Sequence, residues 1–282
     1  MNKENLKIGF VGQGFVGKNY SDDFENRGYK VVRYSQEPDH VNNKDLIKDC
    51  DVVFIAVPTP TTKQGFDYSI IESTLSLIGK GKIAVIKSTI IPGTTKILQS
   101  KFTDIIVMHS PEFLSEKTAA FEAANPTRNI VGISVQDDKN RNAAKLVLSL
   151  LPKSPFEIIC SAEEAEVIKY AHNCLGFVTV VFGNLLYDLA KSHGASWENI
   201  KSAIDADTEK SSTYFNPVHK TGRGAGGRCF IKDFAAFRQS YEQAMSDDKL
   251  GISVLKALEE KNIDLLNSTN KDMDILEQVY NK

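Results

Sequence analysis

The stretch Leu6-Lys7-Ile8-Gly9-Phe10-Val11-Gly12-Gln13-Gly14-Phe15-Val16-Gly17 decides the fold of the N-terminal half. Residues 6–11 predict a short buried strand, and the glycines open a helix that is predicted to end at Asn26. Gly28 stands where a C-cap glycine is expected, and residues 29–34 predict a second strand. A G-x-G-x-x-G motif between a strand and a helix is typical of a dinucleotide site. The residues predicted to hold the pyrophosphate are Gly12, Gly14, Phe15, Val16 and Gly17.

Ser35 ends the second predicted strand, where dinucleotide-binding domains usually carry an acid that binds the ribose hydroxyls. A serine hydroxyl does not bind a ribose diol as a carboxylate does, and it does not repel a 2′-phosphate. Glu37 is a second candidate for the ribose contact. The sequence therefore indicates NAD as the cofactor without excluding NADP.

Three further apolar runs, at residues 51–57, 82–87 and 104–108, predict strands, with helices predicted at 67–78 and 94–101. This alternation predicts an α/β fold with a Rossmann-like doubly wound parallel sheet. Ligands of such sheets bind beyond the carboxyl ends of the strands, where each run here is followed by a polar turn. Each of these turn residues, taken singly, is more typical of a helix cap or a turn than of a binding site. Only their shared position beyond the strand ends favours a role in ligand binding. The candidates for one common crevice are Thr59, Thr89, Glu112 and Glu116.

A capping box, Ser161-Ala162-Glu163-Glu164, predicts the start of a long helix. Lys169 and Asn173 are four residues apart and share a face of that helix. Because the surrounding run is apolar on almost every side, we expect the pair to be buried or in a cleft. Residues 177–189 are expected to pack against a partner subunit or the rest of the helical domain. Further helices are predicted at residues 196–206, 232–245, 250–266 and 271–280.

These patterns predict two domains. Residues 1–160 form an NAD(P)-binding Rossmann-like domain, and residues 161–282 form an all-helical domain with a long central helix.

The segment Gly222-Arg223-Gly224-Ala225-Gly226-Gly227-Arg228-Cys229-Phe230-Ile231-Lys232-Asp233 is the main candidate for catalysis. Its four glycines permit the close approach of a ligand. Cys229 is expected just before a helix N-terminus, whose free N–H groups favour a thiolate. Lys232 and Asp233 lie within one turn of it, and the combination indicates nucleophilic catalysis. The alternative is a glycine-rich surface turn with a buried structural cysteine.

The 282-residue chain has a formal net charge of -2, with 41% hydrophobic and 25% charged residues, typical of a soluble globular protein. Its basic residues are not clustered, so no nucleic-acid or membrane partner is expected. Residues 1–7 lack the apolar region of a signal peptide, and the apolar run 174–189 is too short and too polar to span a bilayer. Four scattered cysteines without metal-ligand spacing fit free thiols, so we expect a cytoplasmic protein without a metal.

Together, these motifs resemble those of the UDP-glucose/GDP-mannose dehydrogenases, which oxidise a nucleotide-sugar alcohol to a uronic acid. No single motif is specific, but they occur in the family's order across nearly the whole chain. They are residues 12–17, Val57-Pro58-Thr59-Pro60, Lys87-Ser88-Thr89 with Pro92-Gly93-Thr94, Ser110-Pro111-Glu112-Phe113-Leu114 with Glu116, Asn125-Pro126-Thr127-Arg128, residues 166–173, Tyr214 with Asn216-Pro217, and residues 226–233.

The resemblance implies that Cys229 is the nucleophile, forming first a thiohemiacetal and then a thioester that water hydrolyses. It implies that Lys169, assisted by Asn173, stabilises the oxyanion and that Asp233 is a base. Thr89 and Glu116 match positions near the nicotinamide and the catalytic water. The other implied cofactor contacts are Ser35, Val57, Pro58, Thr59, Ser88 and Lys232. The implied substrate contacts are Glu112, Phe113, Leu114, Lys169, Asn173, Tyr214, Asn216 and Gly226.

The chain departs from the family pattern in four ways. A third, nucleotide-binding domain normally follows, whereas this sequence ends at Lys282, about where the linker to it is expected. The segment between Ser35 and Asp51 is shorter. Residues 218–223 are additional, and their His219, Lys220 and Arg223 are candidate phosphate contacts. Arg228, which further favours a thiolate, replaces a small or aromatic residue, and Ile231 replaces a proline.

The favoured substrate is a UDP-sugar, UDP-glucose first, oxidised in two NAD-dependent steps. Two alternatives stay open. One is a two-electron dehydrogenase of the β-hydroxyacid type, in which Cys229 is idle. The other is a non-catalytic chain that binds nucleotide or pairs with a full-length homologue. A homodimer through the long central helix is expected, because its apolar face exceeds what one small helical domain covers.

Overall fold

The protein is described from a computed structural model, which covers residues 6–62, 64–207 and 213–280. The chain divides into two compact units. Unit 1 comprises Met1–Thr59 and Asp67–Lys169, and unit 2 comprises Pro60–Phe66 and Tyr170–Lys282. The division falls at Lys169, inside a long helix, rather than at residue 160, because the first turn of that helix packs on the sheet. Ala162 and Ala165 are fully buried there beside Gly132.

Unit 1 is built on a seven-stranded sheet with the order β2-β1-β3-β6-β7-β8-β9. Neighbouring strands are parallel except β7 and β8, which are antiparallel. The order reverses around β1, so the carboxyl ends of β1 and β3 form a switch point where ligands bind in such sheets. The strands are β1 Ile8–Val11, β2 Val31–Tyr34, β3 Val52–Ile55, β6 Ile83–Ile86, β7 Ile106–His109, β8 Arg128–Ile133 and β9 Phe156–Ser161.

Helices cover this sheet and bury its apolar strands. The rings of Phe10, Phe24 and Phe54 pack in the core with centroids 4.9–5.2 Å apart. Gly28 follows the first helix with φ 86°, a left-handed conformation that suits glycine. The helices are α1 Phe15–Asn26, α2 Ser69–Leu75, α3 Thr94–Lys101, α4 Ala119–Ala124 and α5 Asp138–Leu150, with a 3-10 helix at Val41–Asp49.

The doubly wound α/β fold is confirmed, and the helices α1 and α3 end where the sequence places them. The strands β8 and β9 were not predicted. β9 lies at the edge of the sheet with its first half exposed, so its residues do not form the buried apolar run that marks the inner strands.

Unit 2 is mainly helical. Its helices are α6 Ala162–Ser192 from Tyr170 onward, α7 Trp197–Ala206, α8 Gly227–Ala244, α9 Lys249–Asn267 and α10 Met273–Tyr280, with a 3-10 turn at Thr213–Phe215. Short antiparallel pairs are formed by β4 Thr61–Thr62 with β5 Gly65–Phe66 and by β10 Val218–His219 with β11 Gly222–Arg223. The rings of Phe177 and Phe234 stack at 3.8 Å and join α6 to α8.

The capping box at the start of α6 is confirmed. The amide of Glu164 donates to Ser161 Oγ at 3.2 Å, and the amide of Ser161 donates to Glu164 Oε2 at 2.7 Å. At 31 residues, α6 is longer than the apolar run 174–189. Among the described helices it alone reaches the length and hydropathy of a membrane span, with mean hydropathy 1.4 in its most apolar window, of which 44% is buried. Core helices of folded proteins reach the same values, so this is weak evidence for a span.

Candidate active site

The glycine-rich loop of unit 1 fits a dinucleotide. A Cβ added to Gly12 would lie 2.2 Å from the Ala56 carbonyl oxygen, and one added to Gly17 would lie 1.8 Å from the Gly12 carbonyl oxygen. These two glycines therefore hold loop, helix and strand in close contact. A Cβ on Gly14 would meet no atom within 4 Å, so this side of the loop is open to a ligand. Gly14 is also the N-cap of α1 and, having no side chain, does not cap the amides of the first turn.

The end of β2 carries no free basic residue. Arg33 Nη2 lies 2.7 Å from carboxylate oxygens of both Asp22 and Glu25, so its charge is neutralised within the unit. Ser35 Oγ accepts a hydrogen bond from the amide of Glu37 at 3.2 Å, and the Glu37 side chain is exposed. Without a free arginine here to pair with a 2′-phosphate, this edge favours NAD over NADP.

The polar turns after β3 and β6 contact each other. Ser88 Oγ accepts from the amide of Val57 at 3.0 Å and donates to its carbonyl at 2.7 Å. Thr59 Oγ1 donates to the Thr89 carbonyl at 2.8 Å. The structure thus brings these predicted cofactor residues together at one edge of the sheet.

Lys169 and Glu112 form a buried ion pair within unit 1. Lys169 Nζ donates to Glu112 Oε1 at 3.0 Å and to the Glu112 carbonyl at 2.6 Å, and the side chains are 4% and 9% exposed. The other carboxylate oxygen of Glu112 accepts from the amide of Leu114 at 2.7 Å. Lys169 Nζ also lies 5.4 Å from the centre of the Phe113 ring. Two of the predicted substrate residues, Glu112 and Phe113, thus lie next to the predicted oxyanion-stabilising lysine, while Glu116 is exposed.

A second buried lysine, Lys87, lies close to this pair. Its Nζ lies 3.3 Å from Ser110 Oγ and 4.3 Å from the centre of the Tyr20 ring. Burial lowers the pKa of Lys87 to about 7, with Glu112 acting in the opposite direction and Lys169 in the same direction. Burial and the charge of Lys87 lower the pKa of His109 to about 3. The sequence places Lys87 in a family motif but does not predict its burial, because Tyr20, which packs over it, is distant in the sequence.

Replacing Lys87 by methionine is expected to flatten the pH dependence of stability. The unfolded chain keeps the ordinary pKa of 10.5, so between about pH 7 and 10.5 it binds more protons than the folded chain. The free energy of unfolding therefore rises with pH in this window, by up to about 1.4 kcal/mol per pH unit. Lys87→Met should be more stable than wild type at pH 7, with the gain vanishing near pH 10.5 in urea unfolding curves. Lys80→Met, at an exposed lysine, is the control, and an equal gain at both pH values would contradict the assignment.

Glu166 caps α3 from the first turns of α6. Its carboxylate accepts from the amides of Gly93 at 2.6 Å and Thr95 at 2.8 Å and from Thr95 Oγ1 at 2.5 Å. Burial raises the pKa of Glu166 to about 7, although these hydrogen bonds lower it. The first turns of α6 and the start of α3 are thereby fixed to each other within unit 1.

In unit 2, Asp233 is bound by two predicted site residues. Asn173 Nδ2 donates to Asp233 Oδ2 at 2.6 Å, and Lys232 Nζ lies 2.5 Å from Asp233 Oδ1. Asp233 is 1% exposed, and its charge contributes, after burial, to the raised pKa of Cys174. The amide of Asn173 and the ammonium of Lys232 thus hold the Asp233 carboxylate in a fixed position, as a preorganised proton acceptor requires.

Cys229 lies inside α8, and the prediction that this helix begins at residue 232 is wrong. The helix begins at Gly227, so Cys229 is in its first turn and is exposed. The amide of Gly227 donates to Asp272 Oδ2 at 2.7 Å, and this acceptor, 45 residues away in the chain, explains why local sequence misplaces the start. Ile231, which replaces the proline of the family pattern, is fully buried in the core of α8, α9 and α10.

Of the remaining substrate candidates, Tyr214 packs against α8. The rings of Tyr214 and Phe230 meet at 5.4 Å, and a Cβ on Gly176 would lie 2.8 Å from Phe230. Asn216 is exposed. Arg223, a candidate phosphate contact, is instead occupied within the unit, with Nη2 2.8 Å from Asp188 Oδ1 and Nε donating to Asn184 Oδ1 at 2.9 Å.

In the described ranges, no group of three or more His, Cys, Asp and Glu residues is arranged to hold a metal ion.

Two sequence models of one family match the chain. The NAD binding domain of the UDP-glucose/GDP-mannose dehydrogenase family matches residues 39–149, and its central domain matches residues 163–263. NAD is thus the cofactor that unit 1 is built to bind.

The chain also resembles individual proteins. UDP-glucose 6-dehydrogenase of Rickettsia typhi is 28% identical over 219 residues, which cover 74% of this chain and 49% of that protein. An uncharacterized protein of Methanocaldococcus jannaschii is 32% identical over 205 residues, 68% of this chain and 22% of that protein. The chain spans about half the length of the Rickettsia UDP-glucose 6-dehydrogenases that it matches.

Solved structures share the fold. A UDP-glucose dehydrogenase from Pyrobaculum islandicum superposes with a TM-score of 0.79 at 24% identity, covering 93% of this chain and 68% of that one. A 3-hydroxyisobutyrate dehydrogenase from Mycobacterium tuberculosis has a TM-score of 0.72 at 16% identity and covers 97% of both chains. The motifs, the fold and the two family models agree, and the chain belongs to the UDP-glucose/GDP-mannose dehydrogenase family.

Proposed function

We propose that the protein is an NAD-dependent nucleotide-sugar dehydrogenase that oxidises the C6 alcohol of a UDP-sugar, UDP-glucose first, to the uronic acid. The observation that carries the proposal is in unit 2. An exposed cysteine occupies the first turn of α8, and one turn further along, the buried Asp233 is held by Asn173 and Lys232. A thiol next to a fixed carboxylate fits covalent catalysis.

In the proposed reaction, Cys229 first acts as the nucleophile and later leaves as the thiol. Bound NAD would accept a hydride in each of the two oxidations. Between them, Cys229 Sγ adds to the C6 aldehyde, and the carbonyl oxygen takes a proton to give a thiohemiacetal. Loss of the second hydride and of the hydroxyl proton gives a thioester. Water then attacks C6, the C–S bond breaks, and the carboxylic acid and the free thiol are released.

The remaining site residues are proposed to stabilise charge, to accept protons or to bind the cofactor. Lys169 would stabilise the oxyanion, with Asn173 assisting. Asp233, already bound to Asn173, would accept protons from the thiol or water. Thr89 and Glu116 would lie near the nicotinamide and the catalytic water. Gly12, Gly14 and Gly17 would bind the pyrophosphate at the start of α1.

The test is the number of NADH molecules formed for each sugar consumed. With excess NAD and limiting UDP-glucose, we expect two NADH and UDP-glucuronic acid as the product. One NADH per sugar with an aldehyde product would contradict the thioester route. No NADH from any UDP- or GDP-sugar would favour a binding role for the chain.

A two-electron β-hydroxyacid dehydrogenase is the second candidate. The 3-hydroxyisobutyrate dehydrogenase shares the fold of this chain with a TM-score of 0.72, so the fold also fits this reaction. NADH formation from a β-hydroxyacid, and none from nucleotide sugars, would establish it.

A homodimer through α6 is expected from the apolar stripe of Leu175, Phe182 and Leu189. These exposed residues are seven apart, so they lie on one face of the helix. Sedimentation of the wild type should give twice the monomer mass, and Phe182→Glu should give the monomer. A monomeric wild type at high concentration would contradict this.

The cytoplasm is the proposed compartment, without a membrane or nucleic-acid partner.

A further inference from the structure

The loop that precedes Cys229 is held by a group of residues that we call the loop clamp, defined as Asn262, Thr269, Lys271 and Asp272. Asn262 belongs to α9, and the other three lie between α9 and α10. Asn262 Oδ1 accepts from the amide of Ala225 at 2.7 Å, and its Nδ2 donates to the Ala225 carbonyl at 3.0 Å. The amide of Arg223 donates to Thr269 Oγ1 at 3.1 Å.

The two charged members of the clamp bind either side of Ala225. Lys271 is 4% exposed, and its Nζ donates to the carbonyls of Gly224 at 2.9 Å and Gly222 at 3.3 Å. Asp272 Oδ2 accepts from the amide of Gly227, the first residue of α8, at 2.7 Å. The N-cap residue of α8, Gly226, has no side chain to do this, so Asp272 caps the helix from outside.

The clamp also explains the glycines of the loop. A Cβ added to Gly222 would lie 2.2 Å from Thr269 Oγ1, and one added to Gly226 would lie 2.1 Å from Asp272 Oδ2. At Gly224, it would lie 3.1 Å from Asn262 Oδ1. The close packing of the clamp therefore explains why these three positions are glycines. Only at Gly227 does an added Cβ meet no described atom within 4 Å.

We infer that Lys271 and Asp272 are positioning residues for Cys229. They fix the loop carbonyls and the first amide of α8, and Cys229 follows that amide by two residues. Because the first turn of a helix lacks intrahelical acceptors for its N–H groups, removal of the outside acceptor should let this turn fray. The thiol would then lose its fixed direction, and a covalent reaction is sensitive to such misplacement. The catalytic role of the thiol rests on the proposed function. The position of Cys229 rests on the hydrogen bonds of Lys271 and Asp272 to the loop.

The experiment compares Asp272→Ala and Lys271→Met with the wild-type full chain. The matched controls are Asp274→Ala and Lys256→Met, at exposed residues outside the clamp. Hydrogen–deuterium exchange is followed in the peptide spanning residues 222–233. The number of reactive Cys229 thiols is counted by iodoacetamide labelling, and kcat for UDP-glucose is expressed per reactive thiol.

We expect exchange in this peptide to become at least about tenfold faster in both clamp variants and to stay within twofold in the controls. We expect kcat per reactive thiol to fall at least about tenfold, with KM for NAD within twofold. Asp272→Asn keeps an oxygen acceptor and should restore most of kcat. Lys271→Met decides the matter should Asp272→Ala fail to fold.

Unchanged exchange would overturn the inference. So would faster exchange with unchanged kcat per reactive thiol, because the clamp would then serve folding alone. If no nucleotide sugar is oxidised by the wild type, the proposed function fails separately. The rate of Cys229 labelling relative to Cys160 then decides, with a change of at least about threefold in the clamp variants supporting the inference and an unchanged ratio rejecting it.

Discussion

Replacing Cys229 by serine is expected to lower kcat for NADH formation from UDP-glucose by at least about a thousandfold, since the loss of an active-site nucleophile has effects of this size or larger. A hydroxyl is far less nucleophilic than a thiolate, so the aldehyde is no longer captured. The first-turn position of Cys229 in α8 is unchanged by the substitution, and its exposure makes a folding defect unexpected. The measurement is NADH absorbance with time, with thermal unfolding as a check of the fold.

Cys160→Ser is the matched control, because Cys160 lies in the edge strand β9 of unit 1 and is assigned no part in the reaction. It should keep turnover within about twofold of wild type, as expected for a substitution outside the site. If Cys229→Ser also kept full turnover, the thioester route would be rejected in favour of a two-electron reaction.

Replacing Lys169 by methionine is expected to lower the free energy of unfolding by about 3–5 kcal/mol, because the buried Glu112 carboxylate loses the ammonium group that is hydrogen-bonded to it. Glu112 keeps one bond, from the amide of Leu114, which compensates only in part. The same variant should lose roughly a hundredfold or more in kcat if Lys169 stabilises the oxyanion. Urea unfolding and steady-state kinetics measure the two effects.

A double-mutant cycle separates the pair from its surroundings. Lys169→Met combined with Glu112→Gln removes both charges, so it should be more stable than Lys169→Met alone. Lys96→Met is the control, because Lys96 pairs with Glu163 at the surface at 3.7 Å, and its loss should cost less than about 1 kcal/mol. Equal losses for Lys96→Met and Lys169→Met would show that burial does not strengthen the inner pair.

Features that depend on neighbours in the sequence could be predicted. The glycine spacing of residues 12–17 and the apolar run before it gave β1 and α1, and the capping box at Ser161 placed the start of α6. Lys169 and Asn173 were expected to be buried or in a cleft, and both are buried, because the apolar residues around them require cover.

Features that depend on distant residues could not be predicted. The start of α8 is set by Asp272, and the glycines at 222, 224 and 226 are required by a clamp formed about 40 residues later. Lys87 is buried under Tyr20 of α1. The hydrophobic pattern of β6, which precedes Lys87, does not predict this contact because Tyr20 is distant in the sequence. β9 was missed because an edge strand has no continuous buried run.

The carboxylate of Glu166 occupies one helix N-terminus of unit 1 that could otherwise bind an anion. Helix N-termini attract phosphate through amides that lack an acceptor. At α3, Glu166 already accepts from Gly93 and Thr95, whereas α2, α4 and α5 carry an acid in their first turn. Of the described α-helices in this unit, α1 alone begins with neither a side-chain cap nor an acid. Because the starts of the other described α-helices are already occupied by a carboxylate, the start of α1 is the α-helix end of this unit best suited to the diphosphate of the proposed cofactor.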